Sequence, residues 1–114
     1  MKKLKYSIIY AVIRPEISER ISVGLITVED ETISIRYSEK KLRALEHLYP
    51  KPEYEFVAKV VRAMTKHKTI KTTHDIEYLA RYSNNKISVS GLQTIDMEAN
   101  AKTKDWLYRS YVQR

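Results

Sequence analysis

Apolar positions recur with period two over the first third of the chain and with a helical period over the middle. Residues 4–13 are apolar in both phases: Tyr6, Ile8, Tyr10 and Val12 alternate with Ile9, Ala11 and Ile13. A strand of that kind belongs inside a sheet, covered on both faces. Arg14-Pro15-Glu16-Ile17-Ser18-Glu19 interrupts it, because proline cannot donate to a ladder. Residues 20–28 resume, with Ile21, Val23 and Leu25 opposing Ser22, Gly24 and Ile26, and Gly24 marks a bulge or a close backbone approach. After the acidic turn Glu29-Asp30-Glu31, residues 32–37 point Ile33, Ile35 and Tyr37 inward and Ser34 and Arg36 outward. Short connections make these strands an antiparallel meander.

Helical spacing follows. Ser38 is placed to cap a helix to about residue 48 carrying Leu42, Leu45, Leu48 and Tyr49 on one side. Pro50 and Pro52 end it, and Pro52 suits the first turn of a second helix over 53–66. Tyr54, Val57, Val60, Val61 and Met64 form its stripe, while Glu55, Lys59, Arg62 and Lys66 face away. Burying such a stripe, at roughly 1.5–3 kcal/mol per side chain, outweighs the poor helix propensity of valine, and Val60→Asp is expected to unfold the protein. Residues 67–73 read as a loop. Thr73 then caps a short helix through Asp75, Ile76, Leu79 and Ala80, ended by Asn84-Asn85. Residues 86–90 alternate as a fourth strand with Ile87 and Val89 inward. A connection over 91–97 leads to a last helix, about 98–112, with Thr103, Trp106, Leu107, Ser110 and Tyr111 on its apolar side. The expected fold is α+β: an antiparallel meander of three strands plus a fourth, packed against three to four helices in one domain over residues 1–114.

Composition narrows the chemistry. A hydrophobic fraction of 43%, two Gly and three Pro suit a packed core rather than a disordered chain. Nine Tyr against one Phe and one Trp place many rings at the core boundary, where each hydroxyl finds water or a partner. The net charge of +7 favours anionic partners, although solvated lysines produce the same sum. With no Cys there is no disulfide, thiol nucleophile or thiolate metal site. MKKLK before YSIIYAVI has the basic start and apolar run of a signal peptide, but Arg14 and Pro15 close the run and no small-x-small site follows. That segment therefore reads as a strand and the protein as cytoplasmic. No apolar run approaches the ~20 residues of a membrane span.

Both ends carry a family pattern. Tyr6 to Val28, YSIIYAVIRPEISERISVGLITV, resembles without gaps the opening of the bacterial family called domain of unknown function 3037. Tyr6, Pro15, Glu19, Val23 and Gly24 match its motif. Asp105 to Val112, DWLYRSYV, resembles the family's closing D-x-L-[YF]-x-x-[YF]-V. Tyr10 and Ile17 stand where the family has Arg, and Ser22 where it has Asn. The resemblance implies a bacterial origin and carries no established activity. Some family members are encoded beside HipA-like kinases, which implies a protein partner of that kind.

Three groups are candidates for function. Arg14, Pro15, Glu19, Arg20 and Gly24 make a family-motif loop in which a carboxylate between guanidiniums suits an anion site or a surface ion pair. Lys59, Arg62, Lys66, His67, Lys68, Lys71 and His74 gather cations with Asp75 and Glu77 nearby, suiting either nucleic acid or a solvated helix back. No aromatic residue interleaves that run to stack on bases. Tyr78, Tyr82, Trp106, Tyr108 and Tyr111 suit a protein interface or core-boundary packing; if Trp106 and Tyr108 take opposite sides of the last helix, one is exposed. His47, His67 and His74 lack metal-ligand spacing, paired carboxylates occur at the 29–31 turn, and Ser90-Gly91 lacks a nucleophile-elbow frame. No catalytic residue, metal or cofactor is expected. The function that follows is a small non-enzymatic protein-interaction module or accessory subunit, binding another protein or itself. The alternative is a nucleic-acid-binding module using the 59–74 surface, and an enzyme ranks third.

Overall fold

The computed structural model describes residues 3–17, 19–30, 32–66, 73–81 and 86–113, of which Lys3, Pro15, Lys66, Leu79, Ala80 and Arg81 are described by their backbone alone. Five antiparallel strands form one sheet: β1 (Lys3–Arg14), β2 (Glu19–Glu29), β3 (Thr32–Tyr37), β4 (Ile87–Val89) and β5 (Gln93–Glu98). β1 lies inside, with β2 and then β3 on one side and β4 and β5 sharing its other side. Helices α1 (Glu39–Ala44), α2 (Lys51–Lys66) and α3 (Thr73–Arg81) supply the core of one face, and α4 (Ala101–Tyr111) covers the other. The α+β expectation holds.

β1 is apolar in both phases because both phases are buried. Ile9 and Ala11 join the core beneath α1 to α3, with Leu42, Leu45, Val57, Val61, Met64 and Ile76. Leu4, Tyr6 and Ile8 join the second core, with Leu25, Leu107, Tyr108 and Val112. A helical layer on each face removes from water what one layer would leave exposed, at roughly 25 cal/mol per Å² of apolar surface.

β2 departs from simple alternation. Ile9 pairs with Gly24 but Tyr10 pairs with Ser22, so Val23 is an extra residue in the ladder. The phase of β2 therefore flips: Ile21 and Val23 face α1 to α3, and beyond the bulge Ile26 and Val28 do so, while Leu25 turns to α4. Strict alternation from Ile21 through Leu25 is corrected by that one residue. Gly24 is required there by space, because a Cβ would lie 3.0 Å from Ile9 Cδ1 and 3.2 Å from the Arg36 carbonyl oxygen. At the following hairpin Asp30 has φ of 55°, the left-handed backbone that a tight two-residue turn demands at its first position.

The helical caps follow the sequence in part. Ser38 caps α1, its Oγ accepting from the Lys41 N–H at 3.2 Å. The chain then tightens into a 3₁₀ turn over Leu45–His47, which leaves Leu48 exposed rather than in the leucine stripe. Tyr49 stays buried and its hydroxyl donates to the Val12 carbonyl. On α2, Val57, Val61 and Met64 are buried, while Tyr54 and Val60 sit at the margin, so Val57 bears more of the core than Val60. Thr73 is the first residue of α3 and not its cap. The 67–72 part of the expected loop and Asn84-Asn85 lie outside the described residues.

The largest correction falls on residues 91–97. Gln93–Glu98 is a fifth strand, paired with β1 through Leu4↔Ile95 and Tyr6↔Gln93. Ile95 alone among its side chains is half-buried, so it lacks the apolar alternation that reveals a strand. Ser90 joins it to β4. Ser90 Oγ accepts from the Ile8 N–H at 2.8 Å, and the fully buried Ser7 hydroxyl donates to the Ser90 carbonyl. α4 starts later than expected, at Ala101, capped by Asn100 Oδ1 accepting from the Thr103 N–H at 2.9 Å.

Two stability outcomes follow. Gly24→Ala should lower the unfolding free energy by about 1–3 kcal/mol, read as a lower denaturant midpoint with an unchanged m-value, since Ile9 and the β3 backbone must give way. Tyr49→Phe should cost about 1 kcal/mol at neutral pH through the lost hydrogen bond. Burial pushes the Tyr49 hydroxyl from near 10 up to about 12. The folded protein then keeps a proton that the unfolded chain loses, so stability is full below pH 10 and falls between about pH 10 and 12. Thermal melts across that window should fall more steeply for wild type than for Tyr49→Phe.

Candidate interaction surface

The family-motif loop is not one site. Arg14 and Glu19 pair at 3.8 Å, both largely exposed, which is worth at most about 1 kcal/mol. Pro15 opens a 3₁₀ turn over Pro15–Ile17 whose tip exposes Ile17. Arg20 leaves the pair and stacks over the Tyr10 ring at 3.9 Å. Tyr10 on β1 is thus the platform for a cation one strand over. Gly24 lies farther along β2, against Ile9 and the β3 backbone.

The basic stretch divides likewise. Lys59 is exposed on α2, whereas the Arg62 guanidinium lies 2.6 Å from Glu39 Oε1. Glu39 also meets Arg43 at 3.5 Å. Arg62 is the main cause holding the Glu39 carboxyl below its ordinary range, and burial followed by Glu39 raises the neighbouring Tyr37 hydroxyl. This network ties α1 to α2. The Lys66 side chain, Lys68, Lys71 and His67 lie outside the described residues, and His74 is exposed on α3.

Among the aromatics, Trp106 and Tyr108 take different sides of α4. Trp106 is 44% exposed and Tyr108 5%, so the expected apolar side is rotated to put Tyr108 inside and Trp106 out. Arg36 from β3 closes over the Tyr108 ring at 3.8 Å and reaches Asp105 at 3.3 Å. Tyr111 stacks on Tyr6 with centroids 5.7 Å apart, and the Tyr6 hydroxyl donates to Gln93 Oε1 at 2.8 Å. Tyr78 is exposed on α3, and Tyr82 lies outside the described residues.

One polar contact resembles catalytic machinery. Lys41 Nζ lies 2.9 Å from the Ser22 carbonyl and 3.3 Å from Ser22 Oγ, and burial lowers the affinity of this amine for its proton. A depressed lysine beside a serine is one way to activate a hydroxyl. Here the Ser22 hydroxyl donates to the Tyr111 carbonyl, and Lys41 donates to both Ser22 oxygens. The arrangement binds α1, β2 and the end of α4 together and leaves the hydroxyl proton committed to a backbone carbonyl. Nothing in the sequence pointed to it, since Ser22 and Lys41 meet by topology alone. Among the described residues no group of three His, Cys, Asp or Glu is placed to hold a metal ion, and no helix is long and apolar enough to cross a membrane.

The open surface lies at β3. A cleft of about 240 Å³ runs between β2–β3 and α4, lined by Leu25, Thr27, Ser34, Arg36, Lys104 and Asp105. Its charges are paired, Arg36 with Asp105 and Lys104 with Glu29 at 3.2 Å. β3 forms the rim, and among the described residues no strand pairs with its outer side. The Ser38 N–H bonds the Val23 carbonyl at 2.8 Å, which sets the ladder phase. Residues 32, 34 and 36 therefore bond β2, and Ile33, Ile35 and Tyr37 turn their backbone groups outward. Their side chains are half-buried. The opposite edge differs: β4 has three residues, the edge breaks at Ser90, and β5 carries Asp96 and Glu98.

Compared with protein-family models, curated proteins and solved structures, the chain matches none. A fluorophosphonate probe should leave Ser22 unlabelled in mildly alkaline buffer. Labelling of wild type that disappears in Lys41→Met would contradict the reading of this contact as a tether.

Proposed function

We propose that this chain is a small non-enzymatic interaction module, or an accessory subunit, that docks an extended strand of a protein partner along the outer edge of β3. The observation that carries it is the contrast between the two sheet edges. Natural sheets blunt their edges with lysine, proline, bulges, charges or brevity, because an unprotected row of N–H and C=O groups recruits another strand. The β4–β5 edge has brevity, a break and acidic side chains. β3, Thr-Ile-Ser-Ile-Arg-Tyr, has no Lys, Pro or Gly and is rich in β-branched residues. Strand addition gains affinity from main-chain hydrogen bonds and specificity from alternate side chains. The neighbouring cleft and the exposed Trp106 supply side-chain contacts on the α4 face. By the resemblance at both ends of the chain, the setting is the bacterial cytoplasm and a HipA-like kinase is a partner of the expected kind.

A photo-crosslinking residue at Thr32, exposed on β3, should yield a discrete adduct in lysate of the native host, and mass spectrometry should map the contact to an extended segment. A probe at Lys59 should not. The absence of any adduct from position 32 would refute the docking edge. Nucleic-acid binding at the 59–74 surface predicts instead a salt-sensitive shift of oligonucleotide mobility that Lys59→Glu with Lys71→Glu abolishes. The interaction module predicts that the position-32 adduct survives those reversals.

A further inference from the structure

We infer that Lys41 is a modification site: its amine takes an acyl group from an acyl phosphate, and the resulting amide loosens the junction of α1, β2 and the end of α4. Lys41 is half-buried, and Nζ lies 2.9 Å from the Ser22 carbonyl and 3.3 Å from Ser22 Oγ. Ser22 sits just beyond the end of β3, whose last pair with β2 is Tyr37 with Gly24, so the amine lies at an open stretch of the β2 edge. Both of its partners are uncharged. An ammonium has three hydrogens to donate, whereas a neutral amine has two and a lone pair. Ser22 accepts two, so the neutral form keeps both contacts and turns its lone pair away from the strand.

The carboxylates of the three elements are engaged elsewhere: Glu19 with Arg14, Glu29 with Lys104, Glu39 with Arg62 and Arg43, and Asp105 with Arg36 and Arg109. Of their other cations, Arg20 stacks on Tyr10, and Lys40 and Lys102 are exposed. Burial without a counter-charge favours the neutral amine, in agreement with the contact geometry. The lone pair attacks the acyl carbon and the C–N bond forms. The C–O bond to the phosphate breaks with its electron pair on phosphate, and the proton of the amine passes to water. Among the described residues no acid contacts Nζ to protonate a leaving group, so the donor needs one that departs as a stable anion, as phosphate does. The Ser22 hydroxyl does not compete, because its proton is committed to the Tyr111 carbonyl. The product is uncharged and has one N–H, so it keeps at most one of the two Ser22 contacts.

The test is limiting acetyl phosphate at neutral pH, with the acetylated fraction of each lysine read by mass spectrometry. Lys41 should react about fivefold faster, or more, than its exposed neighbour Lys40 and than Lys104, which is half-buried as well but paired with Glu29. In urea-unfolded protein the three rates should converge, and in folded protein they should converge near about pH 11, where lysine amines in general are neutral. Val112 and Gln113 donate to the Tyr108 carbonyl in the last turn of α4, and in the acetylated protein these two amides should exchange about threefold faster or more. Lys41→Arg keeps a cation beside Ser22 but offers no amine, so the same treatment should leave their exchange unchanged. A Lys41 rate no higher than that of Lys40, or a preference that survives unfolding, overturns the modification site. Equal exchange in treated wild type and treated Lys41→Arg overturns the loosening of the junction.

Discussion

Burial of β1 on both faces is the constraint on which the rest of the structure depends. Leu4, Tyr6 and Ile8 cannot be covered by the layer that covers Ile9 and Ala11, so two helical layers are needed. The long middle of the chain supplies one, and the last helix must return to supply the other. That return requires the chain to pass β1 again, and it does so as β4 and β5, joined at Ser90. Gly24 admits Ile9, and the bulge beside it re-phases β2 so that Val23 and Ile26 face the same core.

The same economy leaves the two edges of the sheet unlike. The β4–β5 side is interrupted because it must bend past Ser90 toward α4, and interruption protects it. β3 is the short end of a hairpin, uninterrupted and apolar on one face, with α2 covering its side chains only in part. The polar contacts elsewhere hold elements together: Arg62 with Glu39, Lys41 with Ser22, Arg36 with Asp105 and Tyr108. Each spends a conspicuous charge on an internal partner. Among the described residues, the backbone of β3 faces outward with no strand paired to it, and an open backbone edge is able to recruit strands.

Much of this was legible from side-chain pattern. The double-apolar β1, the clean alternation of residues 32–37, the Ser38 cap and the α2 stripe each state their structure locally. β5 was hidden because an edge strand with a single half-buried side chain has no apolar period. The face of α4 was misjudged because Thr103, Leu107 and Tyr108 form an apolar side that includes a tyrosine and excludes the tryptophan, and hydropathy does not foresee Arg36 closing over that ring. The phase flip at Val23 was signalled by Gly24 in kind but not in consequence. The β3 edge was invisible for a different reason: which strand lies outermost is a property of topology, not of any one segment.

Amide hydrogen exchange along β3 tests the docking edge most directly. At high dilution the Ile33, Ile35 and Tyr37 amides should exchange fast while those of Ser34 and Arg36 stay protected by β2, and added partner strand should slow the outward amides selectively. Uniform protection along 32–37 at every concentration, or outward amides that never slow, would contradict the account.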